Sequence, residues 1–204
     1  MMARIYLVRH GSTEWNEKRL WQGVVDTELS ERGTDEIRKL GVFFRGKNID
    51  MILSSPMKRA LQSARIIASE IGYDHNKIVI DDRLKECEIR LWNGKTNEEI
   101  DRLYATQFQS WFTNLHSDIE GVEPLGNVQK RMYDFLESMI VHFTNKNVII
   151  VSHAIAIRML ISKILNTTPP NHVNFSLDNG SVSSLIYSGD KVRVSLLNYT
   201  HDLL

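Results

Sequence analysis

Along the chain, short apolar runs alternate with longer stretches in which apolar residues return every three or four positions. Ile5 to Val8 reads as a buried strand that stops abruptly at Arg9, His10 and Gly11. Loop residues follow to Ser30, which is placed to cap a helix whose Ile37, Leu40, Phe43 and Phe44 form one buried face. Met51 to Leu53 is a short second strand. Behind it, Ser55 as cap and Pro56 at the first helical position predict a helix through Ala60, Ala64, Ile67 and Ile71, closed by Gly72. Ile78 to Ile80 is a weaker third strand.

The stretch from Arg83 to Glu123 has no single period, although Asn97 to Leu115 looks helical. Pro124 starts a long helix carrying Met132, Phe135, Leu136, Met139, Ile140 and Phe143, and Asn145 to Asn147 is a turn. Val148 to Val151 is continuous and β-branched, as expected of a central strand covered on both faces. Ser152-His153 ends it, a helix runs on to Leu165, and Pro169-Pro170 breaks the chain. Ser181 to Tyr187 and Val192 to Leu197 form a hairpin through Ser188-Gly189-Asp190. Strands alternating with helices, then a hairpin, predict an α/β fold: a three-layer α/β/α sandwich with a mainly parallel sheet and an antiparallel edge.

Composition narrows the function classes. The 204 residues are 42% hydrophobic and 25% charged, the balance of a soluble globular chain, and the formal net charge is zero. No global field draws such a chain to nucleic acid or to an anionic membrane, so anion binding has to be local. One cysteine, Cys87, excludes an intrachain disulfide framework and fits a reducing compartment. No metal-ligand spacing occurs. The opening residues are too short for a signal peptide, and Val148 to Ile164 is interrupted by His153, Arg158 and Lys163, so the expected location is the cytoplasm.

Three strand exits share a pattern. The first carries Arg9 and His10, the second Ser54-Ser55-Pro56 with Arg59 one turn on, and the central strand Ser152-His153. In a parallel sheet such exits lie along one edge, where open α/β sheets bind ligands. Two histidines and two arginines would meet there, with helix N-termini offering free N–H groups, a pocket suited to a phosphate dianion.

Leu7 to Asn16 resembles the Arg-His-Gly signature of the histidine phosphatase superfamily, the phosphoglycerate mutase-like fold. The resemblance continues through Gln22-Gly23 with Asp26, Leu29 to Gly33, Ser54 to Ala64, Leu84-Lys85-Glu86, Val151-Ser152-His153 and Leu197 to His201. It therefore spans residues 1–204 as one domain, with a variable segment at about 87–123 forming the roof over the substrate. The resemblance implies that His10 is the nucleophile that forms a phosphohistidine. Arg9, Arg59, His153 and Asn16 would hold the phosphoryl oxygens, and Glu86 would be the general acid. Gln22, Gly23 and the N–H of Ala154 join the expected phosphate-binding set, and no metal or other cofactor is implied.

Departures from the family pattern bear on the reaction. Arg90 stands where many family phosphatases have glycine, and Asn93 where they have glutamate. Arg90, or Lys95, is thus a candidate grip for a carboxylate or second phosphate. Mutases of the family carry paired arginines after the acid, whereas Thr96 to Glu123 holds only Arg102. Hydrolysis of a small phosphorylated metabolite is therefore the preferred expectation. The alternatives are a 2,3-bisphosphoglycerate-dependent phosphoglycerate mutase and a non-catalytic phosphate-ligand binder. No nucleic acid or membrane partner is expected, and homo-oligomerisation is left open. The four tryptophans and the remaining histidines read as packing or surface residues, and Cys87 as a small buried filler.

Overall fold

The computed structural model describes residues 2–167, 169, 171, 174–189 and 191–200. Strands β1 (Met2–Arg9), β2 (Met51–Ser54), β3 (Val79–Ile80), β4 (Asn147–Ser152), β5 (Val182–Ser188) and β6 (Lys191–Tyr199) form one sheet in the order β3-β2-β4-β1-β5-β6. The first four pair in parallel, while β5 joins β1 and β6 joins β5 antiparallel. This is the mixed sheet expected from the strand-and-helix rhythm.

Helices α1 (Glu14–Glu17), α2 (Glu31–Phe44), α3 (Lys58–Ile71), α4 (Asn97–Thr113), α5 (Leu125–Phe143) and α6 (Ala154–Ile164) complete the elements used below. Side chains alternate across the sheet with the period of two that a strand imposes. Tyr6, Val8, Ile52, Ile149 and Val151 pack with Ile37, Leu40, Ala64 and Ile67 of α2 and α3. Ile5, Leu7, Leu53, Val148 and Ile150 pack with Val128, Met132, Phe135, Ile157 and Leu160 of α5 and α6. β4 lies inside the sheet with apolar side chains on both faces, which is why its sequence is an unbroken apolar run.

β1 is longer than its apolar stretch predicts. Arg4 pairs with Asn147 on one side and Ile186 on the other, so pairing from both neighbours extends the strand past the polar residues. The second helix also departs from expectation. α3 begins at Lys58 behind Met57 rather than at Pro56. Asp26 Oδ1 accepts the Lys58 N–H at 2.7 Å, so a distant carboxylate serves the helix start, and the Ser55 hydroxyl accepts only the Met57 N–H ahead of it, at 3.4 Å. Ser30, Gly72 and Pro124 bound their helices as expected. Asp190 in the hairpin turn, Pro170 in the chain break, and His172 and His201 lie outside the described residues.

The segment 87–123 contributes Ile89 and Asn97 to the cavity described below. Trp92 and Trp111 are fully buried and meet Trp21 and Phe108 edge-on or stacked at centroid separations of 5.0 to 6.3 Å. This aromatic cluster ties the segment 87–123 to the loop that follows β1. Cys87 is buried within the same core and forms no disulfide. No helix among the described residues is long and apolar enough to cross a membrane.

Candidate active site

Because β2, β4 and β1 are neighbours and run the same way, their carboxyl ends place Ser55, His153 and His10 side by side. Backbone bonds hold the exits in line: His10 N–H donates to the Ser152 carbonyl and Ser55 N–H to that of Val151. The imidazole rings of His10 and His153 meet edge-on, 5.1 Å between centroids. Around them opens a cavity of about 300 Å³ lined by Arg9, His10, Asn16, Gln22, Gly23, Arg59, Glu86 and Ala154, with Arg19, Trp21, Asn97 and Arg158 among the outer residues.

His10 is only 3% exposed. Its Nδ1 lies 2.7 Å from the Gly11 carbonyl oxygen, which requires a proton on Nδ1. The lone pair is then on Nε2, where Arg59 Nε donates to it at 3.1 Å. Burial, then the Arg59 and Arg9 guanidinium charges, hold this imidazole well below the usual histidine range, outweighing the Gly11 bond. The ring is thereby held in its neutral form.

His153 is also neutral, for burial first and then the Arg59 charge. Its Nε2 sits 2.8 Å from Ser55 Oγ, and its Nδ1 is buried without a partner among the described residues. Arg59 uses its terminal nitrogens to donate to the Val25 and Gly23 carbonyls, each at 2.7 Å. Gly23 is itself in the left-handed region at φ +50°, and a Cβ there would collide with Ile89, so the loop's approach to Arg59 depends on glycine. Arg9 donates to the Leu177 carbonyl and leaves Nε buried and unpaired. Burial pushes both arginines down to about 10, so both remain cationic at neutral pH. Arg59, buried, and Arg9, half-buried, thus bring two cations to the cavity wall, with the unpartnered Nδ1 of His153 beside His10.

Glu86 occupies the opposite wall, 9% exposed. Its Oε1 accepts the Cys87 and Ala156 N–H groups at 2.9 and 3.1 Å, and its Oε2 accepts the Ile155 N–H at 3.2 Å. The carboxylate therefore caps α6. The free N–H groups expected to face a phosphate are spent on Glu86, and only the Ala154 N–H at this helix start has no acceptor among the described residues. Arg131 of α5 fixes the segment beneath, donating to the Arg83, Lys85 and Glu86 carbonyls while paired with Glu123 at 3.0 Å.

Asn16 Oδ1 accepts from Thr13 and from Asn179 Nδ2, and Gln22 Oε1 accepts from the Thr13 and Thr27 hydroxyls. With both oxygens engaged, their amide nitrogens remain for an anion. Arg90 is not brought to the cavity. It pairs with Glu88 at 2.9 Å, is 71% exposed, and lines a separate depression with Tyr104 and Gly121, so the carboxylate grip expected of it has no geometric basis here. Arg158, in contrast, lines the cavity and escaped the sequence reading. It follows Ala154 by four residues on one helix face, a relation that only the fold connects with the cavity.

Known proteins resemble the chain over nearly its whole length. Phosphoserine phosphatase 1 of Hydrogenobacter thermophilus is 32% identical over 201 residues, covering 98% of this chain and 93% of its own. The probable phosphoglycerate mutase GpmB of Salmonella choleraesuis is 31% identical over 191 residues, 91% of this chain and 86% of its own. The crystal structure of phosphoserine phosphatase from Entamoeba histolytica, in complex with 3-phosphoglyceric acid, superposes with a TM-score of 0.85 at 28% identity, over 98% of this chain and 99% of that one. The sequence profile of the histidine phosphatase superfamily (branch 1) matches residues 5–200. A neutral imidazole, backed by a guanidinium and facing an anion-shaped cavity, is thus set in a chain that belongs to the histidine phosphatase superfamily and is an enzyme of that family.

Proposed function

We propose that the protein hydrolyses a small phosphomonoester through a phosphohistidine on His10. The observation that carries this reading is the His10 ring: Nδ1 pinned to the Gly11 carbonyl, Nε2 bearing the lone pair at the cavity wall. The Nε2 lone pair, released as the Arg59 Nε–H turns to a phosphoryl oxygen, attacks phosphorus as the bond to the leaving oxygen breaks. Glu86 Oε2, which accepts only one backbone N–H, delivers its proton to that oxygen. Water then attacks the phosphohistidine, giving its proton back to Glu86 while the phosphorus–nitrogen electron pair returns to Nε2. Arg9, Arg59, His153, Asn16, Gln22 and the Ala154 N–H hold the phosphoryl oxygens. Such donors stabilise the transition state most where water is excluded.

Hydrolysis is favoured over mutase chemistry by the cavity lining. Arg102, the one arginine of the segment 96–123, is exposed on α4 and does not line the cavity. Similarity to phosphoserine phosphatases supports the same side. The test is a panel of small phosphoesters including O-phospho-L-serine, with 3-phosphoglycerate run with and without 2,3-bisphosphoglycerate. Expected are phosphate release that His10→Ala abolishes and phosphorus-labelled wild-type protein on acid-avoiding quench. Formation of 2-phosphoglycerate far faster than phosphate release would establish the mutase instead. Absence of turnover on every ester, with His10→Ala binding phosphate like the wild type, would establish a binder.

A further inference from the structure

The carboxylate of Glu86 is fastened to α6, but the backbone that carries it is fastened elsewhere. From Lys85 to Glu88 the chain belongs to no helix or strand, so its carbonyl oxygens have no ladder to join. Arg131 supplies donors. Its Nη1 donates to the Arg83 and Lys85 carbonyls at 2.8 and 2.6 Å, and its Nη2 to the Glu86 carbonyl at 3.1 Å. Nε donates to Glu123 Oε1 at 3.0 Å, and the remaining Nη2 proton goes to Glu123 Oε2 at 3.2 Å. All five N–H groups of the guanidinium are thereby spent.

The grip has a firm base. On α5, Arg131 is flanked by Val128, Met132 and Phe135, which are fully buried in the core beneath the sheet. Glu123 in turn accepts the Glu88 N–H at 3.2 Å, gives its own N–H to the Glu88 carbonyl at 2.7 Å, and takes Trp111 Nε1 on its carbonyl at 2.9 Å. Glu86 is thus held at two points: α6 holds its carboxylate oxygens and α5, through Arg131, its peptide. Neither Arg131 nor Glu123 lines the cavity.

We infer that Arg131 is a positioning residue for the proton donor: its grip on the carbonyls of Arg83, Lys85 and Glu86 sets where the Glu86 carboxyl meets the leaving oxygen. This rests on the assignment of Glu86 as the acid in the reaction proposed above. A proton passes efficiently only across a hydrogen-bond distance, and a misplacement of about 1 Å costs on the order of 10²-fold. Lysine is no substitute, because a point-like ammonium does not reproduce a planar fork that spans three carbonyls and a carboxylate.

The test compares kcat/KM on two esters: the alkyl phosphoester that the wild type hydrolyses fastest, and p-nitrophenyl phosphate, whose leaving group departs unprotonated. Arg131→Gln should lose about 10- to 100-fold on the alkyl ester and no more than about threefold on the aryl ester. Arg131→Lys should recover only part of the difference. In a Glu86→Gln background, adding Arg131→Gln should cost no more than about threefold on either ester, because the two residues act through one proton. Glu123→Gln keeps an oxygen for the guanidinium and should show the same selective loss at smaller size, which covers the case in which Arg131→Gln does not fold. Equal losses on both esters in the folded variants, or no loss, overturn the inference. If Glu86→Gln alone discriminates between the esters, the phosphatase reading still stands. A wild type inactive on every ester overturns both.

Discussion

Glu86 does two jobs with one carboxylate: it caps α6 through the Ile155 and Ala156 N–H groups and faces the cavity as the proposed proton donor. The substitution Glu86→Gln keeps an oxygen for the cap but has no proton to give. On an alkyl ester such as O-phospho-L-serine, kcat should fall about 10²- to 10³-fold. On p-nitrophenyl phosphate, whose leaving group departs without protonation, the loss should stay within about tenfold. Equal losses on both esters would remove Glu86 from the acid's role. At this scale much of the site was legible. Arg9, His10, Arg59 and His153 stand at strand or helix ends, where a polar residue interrupting an apolar run announces itself. Arg158 was not legible, because it sits inside a helix among Ile and Leu residues and only the fold shows which face looks into the cavity. Arg90 lies away from the cavity for the opposite reason. An unusual residue type stood next to the site in sequence, but the turn of chain over Arg90–Trp92 carries its side chain outward to Glu88.

The elements that frame the site are fitted backbone to backbone. A Cβ on Gly33, in the first turn of α2, would overlap the Ser12 carbonyl and amide, and one on Gly11 would overlap the Gly33 carbonyl. Ser30 N–H donates to the Ser12 carbonyl at 2.9 Å in the same seam. Two glycines thus let a helix start press directly on the loop that follows His10. Gly33→Ala should cost about 1–3 kcal/mol of stability by overpacking, read by urea denaturation. It should also lower kcat/KM about tenfold or more, because the displaced loop carries Thr13 and Asn16. Unchanged values of both would show that the seam yields freely. Helix caps were readable where the capping group is local, as at Ser30. The start of α3 was not, since the Lys58 N–H answers to Asp26, thirty-two residues away, while Ser55 Oγ accepts only the Met57 N–H ahead of the helix and meets His153. Long-range satisfaction of helix ends leaves no trace in a local sequence window.

For the whole molecule, the two buried neutral histidines tie stability to pH. His10 and His153 have folded-state pKa values well below the ordinary 6.5. Below about pH 6.5 the unfolded chain binds protons there that the folded chain does not, so stability falls as pH drops and is full above that value. Each group contributes a slope of up to about 1.4 kcal/mol per pH unit. Between pH 7 and 5 the urea midpoint of the wild type should fall. A His153→Asn variant should show a shallower dependence by about one proton, and an identical slope would contradict the neutral assignment. The sheet order adds a temporal consequence. β1 bears the His10 end, yet its two partners are β4 and β5, which begin at Asn147 and Val182. During synthesis the first strand emerges roughly 180 residues before its second neighbour, with both hydrogen-bonding edges waiting. Closing such distant pairings is slow and exposes strand edges meanwhile. His10, the proposed nucleophile, is therefore made well before the strand that completes its surroundings, so an interrupted chain lacking β5 carries it on a strand with one edge unpaired.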